Sequence, residues 1–130
     1  KQFYKMAKRE RLIVTGALGF HPNMTSDGTA AEIASNITAD LFINITNVNG
    51  LYNKDPRKFK DAKLIQKISL KEFYEVARRI KFKAGQHFVL DASAAKMIHA
   101  RNIKTAIVNR NTKNIENLIS GRKFMGTLIS

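Results

Sequence analysis

The stretch ITNVNGLYNKDP, residues 45–56, places a hydroxyl, an amide, a phenol and a carboxylate within ten residues: Thr46, Asn47, Tyr52 and Asp55. Such a set can hold a nucleotide, the ring stacking on the base and the polar groups bonding the sugar and ring edge. The same residues also suit an ordinary hairpin, because Asn49-Gly50 fits a tight turn that needs positive φ. Leu51 is expected to point back to the core and Tyr52 to sit at the rim, with Asp55-Pro56 fixing the exit of the chain. From the residues alone both readings stand.

A second stretch, GFHPNMTSDG, runs from 19 to 28. Its loop, with Gly19, Pro22 and Asn23, delivers Thr25, Ser26 and Asp27 to the start of a helix. Free backbone N–H groups and the positive end of the helix dipole suit that place to a phosphate or another anion. Asp27 is at odds with a phosphate unless its carboxylate bonds the helix amides or orients a lysine or a metal-bound water. Helix capping alone also accounts for all three residues. No His/Asp/Ser relay is evident. His21, His87 and His99 are scattered without metal-ligand spacing, and His99 is expected to be a packed helix residue.

Strands and helices must position these groups. RLIVTG reads as a short buried strand running into the glycine-bearing loop. SDGTAAEIASNI reads as a helix with Asp27 as N-cap and Ala30, Ile33, Ala34 and Ile37 on its apolar face. ADLFINI is a second buried strand whose continuous apolar run suggests a parallel sheet covered on both faces. Asn44 interrupts it and needs hydrogen-bond partners, expected across the sheet. AKLIQKI is a weaker strand. SLKEFYEVARRI is a helix with a capping box, Ser69 to Glu72, and a stripe of Leu70, Phe73, Tyr74 and Ala77. DASAAKMIHA is a helix capped by Asp91, KTAIVN a strong strand, TKNIENLIS a helix stopped by Gly121, and MGTLIS a final strand. The alternation predicts an α/β layered fold with a mainly parallel sheet, in which ligands bind beyond the carboxyl ends of the strands.

With 130 residues and 44% hydrophobic content, the chain suits one domain, residues 1–130, with a real core. It begins with Lys rather than Met, which suits a fragment or a processed product. There is no cysteine, which fits a reducing compartment, and a cytoplasmic location is the expectation. No apolar run approaches the roughly 20 residues needed to span a bilayer, so no membrane partner is expected. The net charge of +13 implies attraction to polyanions. The basic residues sit mainly on polar positions of amphipathic segments, which reads as a solvated basic surface rather than a nucleic-acid footprint.

ITNVNGLYNKDP is similar to the TNVDGVY..DP signature of the UMP kinases, archaeal type, in the amino-acid-kinase superfamily. Three further stretches agree in the same order. HPNMTSDGTAAEIA resembles that family's HPG.TTDAVAALLAE. KAGQHFVLDASAAKMIHARNIKTAIV resembles its KAG...VIDPLAAKII.RSGIKTIVV. GRKFMGTLIS resembles its closing G...GT.I.

The resemblance implies the C-terminal, ATP-binding half of the amino-acid-kinase fold, a three-layer sandwich. It implies ATP-dependent phosphorylation of UMP to UDP in pyrimidine biosynthesis, with ATP and Mg2+. Carried over position by position, Thr46, Asn47, Tyr52 and Asp55 match the ATP-contacting residues. Phe20, His21, Pro22, Asn23, Met24, Thr25 and Ser26 match the UMP-contacting loop, and Asp27 matches the acidic residue near the reacting phosphates. The family's N-terminal glycine and lysine loops have no counterpart here, so the expected partners beyond UMP and ATP are a separate N-terminal half or further copies, as in the family's hexamer. Asn49 stands where the family usually has Asp, and Lys83 and Lys96 are basic residues with no spacing that selects them for phosphate. The competing reading is a catalytically inactive nucleotide-binding or regulatory fragment of the same fold, and after it a basic nucleic-acid-binding module.

Overall fold

The computed structural model describes residues 12–16, 25–79 and 89–130. Helix α1 (Ser26–Asn36) leads into strand β1 (Phe42–Thr46). A long excursion then reaches β2 (Lys67–Ile68) and helix α2 (Leu70–Arg79). Helix α3 (Ala92–Ala100), β3 (Thr105–Asn109), α4 (Thr112–Ile119) and β4 (Thr127–Ile129) complete the described chain. The strands form one sheet in the order β1-β3-β4-β2. β1 pairs with β3 and β2 with β4 in parallel, whereas β3 and β4 are antiparallel.

Three layers result. On one face Ile107 and Ile129 pack with Ala31, Phe73, Ala77, Leu90, Ala94, Ala95 and Ile98, which brings α1, α2 and α3 onto the sheet. On the other face Ala106 and Val108 pack with Leu118, flanked by Ile43, Ile115 and Phe124, under α4. The continuous apolar run of β3 is thus buried on both sides, as its composition predicts. No described helix is long and apolar enough to cross a membrane.

Local chemistry explains most of the boundaries. At the start of α2, the Ser69 backbone N–H and hydroxyl both donate to Glu72 Oε2, at 3.1 and 2.6 Å, while the Glu72 N–H donates to Ser69 Oγ at 3.1 Å. This is the expected capping box. These hydrogen bonds to the Ser69 hydroxyl and N–H hold Glu72 below its ordinary pKa. Asp91 caps α3, its Oδ1 accepting from Ala94 N at 2.8 Å. At the end of α4, Gly121 N bonds Leu118 O at 3.1 Å and Arg122 N bonds Asn117 O at 2.8 Å, a Schellman closure around a residue at φ +68°. Helix α1 closes in the same way, with Thr38 N bonding Ser35 O and Ala39 N bonding Ala34 O. There the left-handed position, φ 54°, is held by β-branched Thr38.

Four expectations are corrected. RLIVTG forms no strand across its described residues 12–16, and Leu12 and Val14 are 80% and 87% exposed. Local hydrophobicity favours an extended chain, but a strand needs a partner's hydrogen-bond ladder, and none of the described residues supplies it. The N-cap of α1 is Thr25, extended at φ −95° and ψ 169° with its Oγ1 accepting from Gly28 N, so Asp27 lies inside the first turn. The most buried positions of α1 are Gly28, Ala31 and Ala34, so of the predicted stripe Ala30, Ile33, Ala34 and Ile37 only Ala34 is fully buried. The small residues turn toward α3, where close helix contact needs them. AKLIQKI is reduced to the two residues of β2.

The long excursion between β1 and β2 is fastened by one buried hydroxyl. Thr127 Oγ1 accepts from Leu51 N at 2.8 Å and donates to Ile65 O at 2.6 Å. Thr127 is fully buried. Thr127→Val keeps the shape and strands both backbone groups. It is expected to cost about 2–5 kcal/mol, seen as a lower urea midpoint with an unchanged slope. Thr38→Gly is expected to raise stability by about 0.5–1 kcal/mol by relieving the left-handed Thr, and a loss in the same titration would contradict that account.

Candidate functional site

Beyond the carboxyl end of β1 the chain bends through residues 47–50 and runs out along the cavity wall. Gly50 is needed there for close approach rather than for a turn. It is extended at φ 158°, and a Cβ would lie 2.7 Å from Thr127 Oγ1 and 3.0 Å from Thr127 N. A hairpin does form, with arms further on than Asn49-Gly50 suggests. Tyr52 bridges Leu64 in antiparallel fashion, Ile65 N bonds Leu51 O at 2.8 Å and Asn53 N bonds Lys63 O at 3.1 Å. Leu51 is buried in the core and Tyr52 stands half-buried at the rim, as expected.

Thr46, Asn47, Tyr52 and Asp55 all line one cavity of about 670 Å³. The segment therefore forms a hairpin and also lines a cavity, on different sides of the same chain. Val48, Pro56, Phe59 and Val89 supply apolar surface, and Lys54, Arg57 and Lys58 supply positive charge. Lys54 pairs with Asp61 at 2.5 Å and lies 5.4 Å from the centre of the Phe59 ring. Asp55 accepts from Arg57 N at 3.0 Å, from its Nε at 3.2 Å and from its Nη2 at 3.3 Å. The side-chain and backbone hydrogen bonds from Arg57 hold the Asp55 carboxyl below its ordinary pKa. Asp55 is thus an ionised acceptor at neutral pH, the form that takes hydrogen bonds from sugar hydroxyls. Lys58 has no ion-pair partner among the described residues. A cavity of this size, part apolar and part cationic, matches a nucleotide in volume and chemistry.

Sequence reasoning passed over Lys54, Arg57, Lys58 and Val89. The DPRK run was a visible signal for the cations, but Val89 is distant in sequence and only the fold brings it in. A second cavity of about 660 Å³ opens between β2 and α2, lined by residues such as Lys67, Lys71, Glu75 and Arg79. None of the candidate residues lines it.

Thr25, Ser26 and Asp27 are not part of the cavity wall. They sit at the start of α1, against the start of α3. The Thr25 hydroxyl donates to Asp91 Oδ2 while accepting from Gly28 N, so one threonine and one aspartate join the two caps. The two helix N-termini therefore meet, and their positive dipole ends add. Asn44 ties this junction to the sheet, its Nδ2 donating to Val89 O at 3.0 Å. The partner of Asn44 is thus the loop before α3 and not a neighbouring strand. Val89 lines the cavity and Asp91 holds Thr25, so one residue of chain, Leu90, separates the places. Phe20, His21, Pro22, Asn23 and Met24 lie outside the described residues, as do Lys83 and His87. Lys96 is exposed on α3. His99 is also exposed, stacked on Tyr74 with ring centres 5.2 Å apart rather than packed in the core. No group of three or more His, Cys, Asp or Glu gathers among the described residues.

Partial burial, and then the charge of Asp91, raise the Asp27 pKa above its ordinary 3.8. The folded chain holds this proton more tightly than the unfolded chain does. That favourable contribution is complete below pH 3.8 and is lost as pH rises through the higher folded value. At neutral pH the charged carboxylate works against folding. Asp27→Asn is expected to raise Tm at pH 7, with a gain that shrinks as the pH falls toward 3.8. An unchanged or lower Tm at pH 7 would contradict the assignment.

Comparison with known proteins fits this arrangement. The amino acid kinase family model matches residues 3–109. The uridylate kinase of Methanocaldococcus jannaschii is 42% identical over 103 residues, covering 79% of this chain and 46% of its own. That of Archaeoglobus fulgidus is 37% identical over 126 residues, covering 97% and 56%. The crystal structure of Archaeoglobus fulgidus uridylate kinase superposes with a TM-score of 0.73 over 86% of this chain and 50% of that one. The chain spans about half the length of the curated relatives it matches. With an α/β sandwich, a nucleotide-sized cavity at the strand ends and a family match over most of its length, this chain belongs to the amino acid kinase family.

Proposed function

We propose that this chain carries the ATP site, and part of the UMP site, of a kinase that phosphorylates UMP to UDP. The observation that carries the reading is the single cavity gathering Thr46, Asn47, Tyr52 and Asp55 with three cations. The relatives named uridylate kinase support the choice of reaction. In this reading Tyr52 faces the base, Asp55 accepts from the ribose, and Lys54, Arg57 and Lys58 offset phosphate charge. The phosphates lead toward the junction of α1 and α3, where Thr25 and Ser26 contact UMP. The tie from Asn44 through Val89 and Asp91 to Thr25 supports a fixed spacing between the cavity and the helix junction.

Phosphoryl transfer asks the protein mainly for alignment and charge neutralisation. The joined helix N-termini supply positive potential without a mobile side chain. Asp27 stands in their first turn, placed to orient a cation rather than to touch phosphate. Magnesium, when bound, neutralises phosphate charge. The nucleotide's own phosphates would hold it, since Mg2+ commonly takes only one or two carboxylates with them, and Asp27 is the candidate.

The test is calorimetric titration of the chain with MgATP, followed by UMP in the presence of a non-hydrolysable ATP analogue. Saturable ATP binding is expected, weakened about tenfold by Asn47→Ala or Tyr52→Ala, equivalent to ~1.4 kcal/mol each. UMP is expected to bind in preference to AMP. ATP binding without UMP binding would favour the inactive nucleotide-binding module, and absence of ATP binding would overturn the proposal.

A further inference from the structure

A line of side-chain amides runs from the start of α4 to the cavity wall, and one end of it cannot be reversed. The backbone N–H of Asn111 donates to Asn109 Oδ1 at 3.1 Å. A backbone N–H is only a donor, so it fixes which end of the Asn109 amide faces it. The Asn109 Nδ2 group is thereby turned toward Asn49, donating to Asn49 Oδ1 at 2.6 Å. That fixes Asn49 in turn. Its carbonyl is engaged by Asn109, and its Nδ2 faces the Tyr52 hydroxyl at 3.5 Å. The last contact is long, yet its polarity follows from the two shorter ones. Asn49 and Asn109 are both part-buried, where an amide set the wrong way would leave polar groups facing each other donor to donor.

We infer that Asn109 and Asn49 are positioning residues that make the Tyr52 hydroxyl a hydrogen-bond donor to the ligand in the cavity. The phenolic oxygen accepts from Asn49, so its own proton is not used there. No other described residue is seen to bond that hydroxyl. The proton is left for the cavity that Tyr52 lines. The ligand group that meets Tyr52 is then an acceptor, such as a ring nitrogen, a carbonyl or a phosphate oxygen, and not an amino group. The binding arm of this inference rests on the nucleotide reading given above, whereas the polarity of the relay does not.

Substitutions that change one atom each test the relay. Asn109→Asp keeps the acceptor for Asn111 N–H and loses the donor to Asn49, so Tm is expected to fall by about 3–6 °C. Asn49→Asp keeps the acceptor for Asn109 and is expected to leave Tm within about 2 °C. The reverse pattern would overturn the relay whether or not any nucleotide binds. In the binding arm, measured with ADP, Tyr52→Phe is expected to weaken affinity about three- to tenfold, the worth of one hydrogen bond. Asn49→Asp offers the phenol an acceptor, draws its proton away from the cavity and is expected to weaken ADP binding to a similar extent. In the Tyr52→Phe background Asn49→Asp should then cost nothing more. A further loss in that background would mean that charge repulsion acts in place of orientation, and would overturn the inference. Failure of the unsubstituted chain to bind ADP would count against the nucleotide reading instead, with the two Tm shifts still deciding the relay.

Discussion

The hydroxyl of Thr127 is the fastening on which the candidate site depends. It lies in the core, on the last strand, and it bonds one backbone group on each arm of the excursion that carries the cavity wall. Leu51 N–H is buried there and would lose its partner without the hydroxyl, and Ile65 C=O is part-buried beside it. Gly50 completes the fit by letting the chain pass against Thr127 without a side chain between them. A site on an excursion far from the middle of the sheet is usually mobile. Here two hydrogen bonds from one buried hydroxyl anchor both arms of the hairpin to β4, and the segment beyond Asn53 and Lys63 is left nearer the surface. The loop that offers Lys54, Asp55, Arg57 and Lys58 to the cavity is therefore anchored at both ends.

A second fastening has the same logic and a different chemistry. Asn44 would be a costly intrusion in a strand of Phe, Ile and Thr, but its amide reaches Val89 and holds the chain just before α3. Two residues later Asp91 caps α3 with one carboxylate oxygen and takes the Thr25 hydroxyl with the other. One polar residue in the sheet thus sets where two helix N-termini meet. The electrostatic consequence is visible in Asp27, whose pKa rises through burial and the neighbouring charge of Asp91.

The regular elements were largely legible in the sequence, and the reasons are local. The Ser69–Glu72 capping box, the Asp91 cap and the Gly121 stop depend on groups within a few residues of each other, and each acts as its spacing indicates. The unbroken apolar run of β3 required burial on both faces and obtained it. The choice among Thr25, Ser26 and Asp27 as cap of α1 was not legible, because all three are competent and only the direction of the incoming chain decides. Nor was the fate of RLIVTG, since an apolar run states a wish for burial but not the partner that grants it.

The sequence by itself offered residues with the hydrogen-bonding capacity to hold a nucleotide, in two stretches at strand or helix ends. Spacing and hydrogen-bonding capacity are properties of the chain, and they are fixed before it folds. Tertiary structure alone decided that the hairpin of Tyr52 and the cavity of Tyr52 are two sides of one segment. It alone brought Val89, Asn109 and Thr127 to that segment, and it turned Asn109 and Asn49 so that their amides point one way along a line. The hydrogen bonds of Asn109 and Thr127 to that segment join residues 60 to 76 positions apart. Short-range preference carries no information over such distances, and only the packing of the whole sheet closes them.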